Sequence, residues 1–487
     1  MLYDIKFWPW VAEDEDPIFA VTGVRHVNPL RYARVSSSLT SSQIIVCRIK
    51  PGSSPPYEIL RWWREEESYD LNSICWTKDV DGRPLLCAAG RSPKSIIIYD
   101  VEADKPIRTL PGHGRAINDL QISPLSPNIL ASASEDYSVR LWNLSPKYEK
   151  QPCVAILVGQ SHKQPLLTLD FHPNGRWLLS GSMDTAIALW AIPPLSELDD
   201  ATTVDQEPRN IAYPYFISEE IHANFVDSVK WYGDLILSRA ARGQTADDKK
   251  HNELLLWRID GFDSSLPPPE HPPIPYPGRF TRSAFPHSER SRGFERILTF
   301  GIPHTPRFYL RFGLYHEPAK RPILVMGNEQ SKFLFWDLQR CEEGEDGTET
   351  VKSGRGRKGK KGSINTESLN RLGGLRRDAS VASDSTRATS ALHTRDRSSA
   401  SASNTNTPAA DVTSTSASQA LAPGERRLVT DDPMKELKPH YERIATTSLS
   451  AKRHFAMAQV EWSPDGKWLV GVGDHGMIVV FHRENVV

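Results

Sequence analysis

The chain is poor in cysteine, and its five, Cys47, Cys75, Cys87, Cys153 and Cys341, lie far apart among 487 residues with no C-x-x-C pair. An odd, scattered set suits neither a disulfide framework nor a zinc site, and it points to a reducing cytosolic or nuclear compartment. No stretch approaches the ~18 to 20 uninterrupted apolar residues of a membrane span. The opening MLYDIKFWPWVAEDEDP lacks the basic start, apolar run and small-residue cleavage site of a secretory signal. Neither sign of charge dominates: 59 Lys and Arg face 60 Asp and Glu, so no overall field recruits nucleic acid or an anionic membrane. There is no G-x-x-x-x-G-K-[ST] loop, no H-E-x-x-H, no G-x-S-x-G elbow and no metal-spaced histidine cluster. The expectation is therefore a soluble intracellular protein that is not an enzyme, with no metal, no cofactor and no membrane partner.

What is present is a repeat. Gly112 to Leu144 (GHGRAINDLQISPLSPNILASASEDYSVRLWNL) and Ser161 to Ile192 (SHKQPLLTLDFHPNGRWLLSGSMDTAIALWAI) share one grammar. Each carries a histidine, an alternating apolar strand, a turn, a second strand ending in S-x-S-x-D and a third closing on Leu-Trp. Asp136 stands six residues before Trp142, and Asp184 six before Trp190. Degraded copies run from Ile74 to Asp100, His222 to Trp257, Phe308 to Asp337 and Met457 to Phe481, with an irregular unit at Phe19 to Ile49. Units of ~40 to 45 residues with four short strands and a W-D-like close are the signature of propeller blades. The fold expected is all-β, a seven-bladed WD40 β-propeller, with Leu2 to Trp10 completing the last blade, Phe455 to His482, to close the ring without a free edge.

Within the two best blades His113, Ser132, Asp136 and Trp142, and likewise His162, Ser180, Asp184 and Trp190, are spaced for a blade-internal hydrogen-bond chain. The residue types match a catalytic triad. Two copies at identical spacing, each ending on an indole donor, instead point to a structural network satisfying buried polar groups. Gly23, Gly90 and Gly473 stand singly among strands, where a turn or bulge accounts for them.

Residues 341–431, rich in Ser, Thr, Ala, Gly and charge with almost no aromatic residue, predict a disordered insertion between blades six and seven, because they bury too little apolar area to offset chain entropy. The propeller is thus assigned to 1–340 and 432–487. The insertion holds a basic cluster, Arg355-Gly356-Arg357-Lys358-Gly359-Lys360-Lys361, which reads as nuclear import or direct nucleic acid binding, or as a solvated charge run.

Several stretches go beyond generic repeat grammar: VDSVKWYGDLILS at 226–238, RPLLCAAG at 83–90, RFYLRF at 307–312 and LVMGNEQSKFLFWDL at 324–338. With GHGRAINDLQIS they resemble the embryonic ectoderm development or extra sex combs subunit of Polycomb repressive complex two, across about Asp16 to His482. That resemblance implies a nuclear reader of trimethyl-lysine on the histone H3 tail, of the lysine 27 type, which supports a SET-domain histone methyltransferase subunit among other Polycomb subunits. It implies an aromatic cage of Phe19, Phe308 and Tyr309. The remaining cage tyrosine falls at Asn72, four residues before Trp76, with Tyr69 the nearest ring upstream. Asn118 and Arg311 match polar residues of the family's channel. A propeller alone also fits a scaffold of another complex, such as a substrate receptor of a ubiquitin ligase.

Overall fold

The computed structural model describes residues 1–12, 15–26, 40–65, 69–200, 202, 204–241, 252–343, 432–445 and 454–483. Residues 344–431 of the predicted insertion, with its basic cluster at 355–361, lie outside the described residues; the expected start at 341 is too early, because Cys341 is buried in the helix Leu338–Glu342.

Seven sheets, each with an antiparallel core of three or four strands, follow one another in chain order. Blade one is built from Leu2–Phe7, Ile18–His26, Thr40–Ile49 and Tyr57–Arg64, and blade two from Asp70–Lys78, Pro84–Ser92, Ser95–Asp100 and Lys105–Pro111. Blade three uses Ile117–Ser123, Ser126–Ser134, Val139–Asn143 and Cys153–Leu157; blade four uses Leu166–Phe171, Trp177–Ser182, Ile187–Ala191 and Phe216–Ser218. Blade five comprises Phe225–Tyr232, Leu235–Ala241, Glu253–Ile259 and Phe294–Phe300, and blade six Gly313–Tyr315, Ile323–Gly327, Lys332–Asp337 and Tyr441–Ile444. Met457–Trp462, Trp468–Gly473 and Ile478–His482 make blade seven. Loop segments add a fifth strand to blades three, four and five: Arg209–Ile211, Thr281–Ser283 and Glu436–Leu437. No helix among the described residues is long and apolar enough to cross a membrane.

The ring is held together between blades. An apolar cluster fills every seam, from Ala20, Trp63, Leu71 and Trp76 between blades one and two to Phe333, Phe455, Met457 and Leu469 between six and seven. Such face-to-face burial is the dominant favourable term, near 25 cal/mol per Å² of apolar surface removed from water.

Closure differs from the sequence expectation. Leu2–Phe7 does not complete blade seven; it is the innermost strand of blade one, paired antiparallel with Ile18–His26 through Ile5↔Val21 and Phe7↔Phe19. The alternation of its apolar residues decides this, since Leu2, Ile5 and Phe7 pack with Val21 of the same blade and with Val470 and Val472 of blade seven. Blades seven and one therefore close by side-chain packing, with the Gln459 amide donating across the seam to the Ile5 carbonyl at 3.2 Å.

The repeated polar residues do form networks. The His113 ring lies 2.8 Å from Asp136 and 2.7 Å from Ser132, whose hydroxyl also accepts from the Trp142 indole at 2.8 Å. His162, Asp184, Ser180 and Trp190 repeat this at 3.3, 2.7 and 2.9 Å. A third copy in blade five joins His222 to Ser238 at 2.7 Å and Trp257 to the same hydroxyl at 2.9 Å, with Glu253 in the acid position 3.5 Å from the ring. All three histidines and tryptophans are buried, and each network ties the segment leading into a blade to that blade's second and third strands.

Candidate functional site at the channel mouth

The innermost strands stand side by side around a channel, stitched from blade to blade. Asp4 accepts the Ile74 amide at 2.8 Å, Ser73 the Leu120 amide at 3.1 Å, Asp119 the Leu169 amide at 2.8 Å and Asp170 the Trp231 amide at 2.9 Å. Near its start, each of six innermost strands slips register by one residue: between Leu2 and Asp4, Leu71 and Ser73, Ile117 and Asp119, Leu166 and Thr168, Val226 and Ser228, and Met457 and Gln459. A bulge re-aims the extra side chain. Tyr3, Asn72, Asn118, Leu167, Asp227 and Ala458 therefore occupy equivalent positions at one end of the channel, and in blade six the Arg311 amide donates to Ala458 at 2.8 Å to fill the gap.

The lone glycines account for three of these six bulges, those of blades one, two and seven; the other three face Ser134, Ser182 and Ala240. Gly23, Gly90 and Gly473 each stand opposite the residue before a bulge, and a Cβ there would lie only 2.2, 2.0 and 2.0 Å from the carbonyl oxygen of Met1, Asp70 and Ala456. Glycine lets the strands approach where the register slips.

At this mouth Phe308 and Tyr309 meet edge to face, centroids 4.5 Å apart and planes at 81°, with Phe225 behind Phe308 at 6.1 Å. Two rings at right angles make a corner whose electron-rich faces suit a quaternary ammonium. Tyr309 takes a left-handed backbone, φ 65°, uncommon for a bulky residue and held by its amide donating to the Asp227 carboxylate at 2.8 Å. Burial pushes the Tyr309 phenol above its ordinary value, as do the charges of Asp119, Asp227 and Glu135, so the ring stays neutral in acidic surroundings.

Below it Arg311 reaches across the channel from blade six to Asp119 at 3.0 Å, the Asn118 carbonyl at 3.3 Å and the Leu167 carbonyl at 2.9 Å. Its guanidinium lies 5.3 Å from the Tyr309 ring centroid. Burial opposes its charge, but the Asp119 carboxylate bonded to it and, farther off, Asp4 raise the pKa, so the cation is fixed. Asn118 is turned down to the Leu166 carbonyl at 2.7 Å. These two residues form a floor under the corner.

Two residues expected in the cage lie elsewhere. Phe19 is fully buried against Phe7 and Tyr57 in the seam of blades seven and one. It pairs with Phe7, four residues along the strand from Tyr3 and so about 13 Å from the mouth. Tyr69 precedes the strand and packs half-buried on the cluster between blades one and two. Asn72 does sit at the mouth, and its side-chain oxygen is buried without a hydrogen-bond partner. The ring that sequence reasoning missed is Tyr3, which occupies in blade one the bulge that Asn72 occupies in blade two. Half-buried, its phenol is raised by burial and by Asp70, which places it beside the start of blade two. The signal was the shared Leu2-Tyr3-Asp4 and Leu71-Asn72-Ser73 pattern, each facing a lone glycine.

Comparison with known proteins fits this geometry. The WD domain, G-beta repeat model matches residues 104–143 and 151–191. The chain is 39% identical over 359 residues to the Polycomb protein EED of Chaetomium thermophilum, across 70% of this chain and 57% of that protein. It is 26% identical to the Polycomb protein esc of Drosophila melanogaster, across 69% of this chain and 70% of the relative. Among solved structures it is similar to a chain of the Chaetomium thermophilum Polycomb repressive complex two, with TM-score 0.68, 30% identity and coverage of 99% and 93%. A second such structure, holding histone H3 trimethylated at lysine 27, gives TM-score 0.69 at 29% identity with the same coverage. The chain spans little more than half the length of the Chaetomium relative, yet the match runs through the propeller, and the protein belongs to the EED and extra sex combs family of WD-repeat Polycomb proteins.

Proposed function

We propose that this propeller is a non-catalytic chromatin scaffold of the nucleus that reads trimethylated lysine on the histone H3 tail and supports a SET-domain histone methyltransferase within a Polycomb complex. The observation that carries the reading is the corner of Phe308 and Tyr309 at the bulge-lined mouth, with Tyr3 on the same rim and acidic groups around it. A trimethylammonium cannot donate hydrogen bonds, so ring faces and nearby acids are what can hold it; each good face contributes about 0.5 to 2 kcal/mol. Of the polar residues below, Asn118 is bonded to the channel wall, and Arg311, bonded there too, lies over one face of Tyr309, so an ammonium takes the ring from its other side. Support for the partners comes from the relatives, one of which was solved with trimethylated H3.

Calorimetry with H3 peptides, trimethylated and unmodified at the lysine of the Ala-Arg-Lys-Ser motif, tests this on the wild type and on Tyr309→Ala. The expected result is micromolar binding, about −8 kcal/mol, that requires both the methyl groups and Tyr309. Equal affinity for both peptides, with no methyltransferase co-purifying, overturns the reading.

A further inference from the structure

One fully buried ion pair stands behind the Tyr309 amide contact. Asp227 is the bulge residue of blade five, and Arg239, on the neighbouring strand, is its partner; neither side chain is exposed to solvent. A buried pair is costly to assemble and is weak evidence for stability as such. What it holds is informative.

The Arg239 guanidinium donates to Asp227 and, with its other terminal nitrogen, to the carbonyls of Thr305 at 3.0 Å and Arg307 at 2.9 Å. The oxygen of Asp227 that faces Arg239 also accepts the Tyr309 amide at 2.8 Å. Three backbone groups of the loop 305–309 are thus gripped by a single pair from the adjacent blade. Asn252 donates to the Thr305 carbonyl as well. From outside, the Arg307 side chain is tied to Glu329 and to Asp474, each at 2.7 Å.

From this we infer that Asp227 and Arg239 are positioning residues that latch the loop 305–309, fix Tyr309 in its left-handed backbone and so set the angle between the Phe308 and Tyr309 rings. The inference rests on the proposed reading of that corner as an ammonium site, but the latch itself has a readout that needs no ligand. A guanidinium fork fits two carbonyls and a carboxylate at once, whereas an ammonium offers one point of charge and does not replace it.

The experiment uses the full chain. Arg239→Lys keeps the charge and loses the fork; Asp227→Asn combined with Arg239→Met removes both charges, so that no unpaired ion is left buried. Limited trypsin digestion without peptide reads the loop directly, because cleavage after Arg307 requires its carbonyl to leave Arg239. The expected result is cleavage at Arg307 about tenfold faster or more in both variants, one to two hydrogen bonds to a charged group being lost, with trimethyl-peptide affinity lowered by a similar factor. Binding of the methyltransferase subunit, read in a pull-down, stays at wild-type level. Wild-type cleavage and wild-type affinity in Arg239→Lys overturn the latch. Acceleration spread evenly over all tryptic sites also overturns it, since the pair would then serve general stability. If the wild type binds no methylated peptide while cleavage at Arg307 still rises selectively, the latch stands and the reader reading fails.

Discussion

Replacing Asn72 with tyrosine should strengthen methyl-lysine binding. Asn72 holds the bulge next to that of Tyr3, and its side-chain oxygen is buried with no partner, a poor use of a site that faces the channel mouth. An aromatic ring there adds one face to the corner of Phe308 and Tyr309 and removes the unsatisfied acceptor. One face is worth about 0.5 to 2 kcal/mol, so the affinity for a trimethylated H3 peptide should rise roughly 2- to 30-fold at 1.4 kcal/mol per decade. Overpacking opposes this where side chains are enclosed, at about 1 to 3 kcal/mol, but position 72 is only half-buried. Calorimetry on wild type and Asn72→Tyr, with trimethylated and unmodified peptides, measures the change. The gain must be confined to the trimethylated peptide. Unchanged affinity in a variant that melts at the wild-type temperature would refute the reasoning, because it would show that the bulge of blade two does not face the bound ammonium.

Tyr3→Ala and Phe19→Ala should separate site from core. The first should weaken the trimethylated peptide by roughly 2- to 30-fold, one ring face, with little change in melting; the second should lower stability by about 3 to 5 kcal/mol and leave the affinity of the folded fraction alone, and chemical unfolding beside calorimetry checks both. Stability should fall on acidification below pH 7. Burial lowers the pKa of His113 and of His222 from the ordinary 6.5, so the unfolded chain binds protons in a range where the folded chain does not. The contribution is fully present above 6.5 and is lost as pH falls from there through the lowered folded value, on the order of 1 kcal/mol per histidine per pH unit. Urea midpoints at pH 7.5 and 5.5 measure it, and His222→Gln should flatten the slope; a midpoint independent of pH refutes it.

Much of the fold was legible because a propeller repeats its own grammar. The spacing of His113, Ser132, Asp136 and Trp142 recurs at His162, Ser180, Asp184 and Trp190, and both sets close into the expected hydrogen-bond chains. The third chain was hidden because its acid, Glu253, stands four residues before Trp257 where the other two stand six before theirs. The rings on the loop 305–309 were legible only through family resemblance, since nothing in the alternation of RFYLRF separates a mouth residue from a core one. Phe19 illustrates that limit. As an aromatic residue in a strand it satisfies either role, and only pairing with Phe7 at the far end of the blade decides between them.

Tyr3 was lost through an error of topology, and the error shows how the site is made. Assigning the first strand to blade seven removed it from the inner ring, and with it the bulge position that gives Tyr3 its direction. Once Leu2–Phe7 pairs with Ile18–His26, the same rule that places Asn72, Asn118 and Asp227 places Tyr3 without appeal to residue type. The mouth is therefore a property of the repeat, and the chemistry is what each blade sets on its bulge: a tyrosine, two asparagines, a leucine, an aspartate and an alanine. That division explains how position 72 can carry an asparagine without disturbing the propeller. The bulge and its facing Gly90 carry the backbone, so the side chain between them is free to vary.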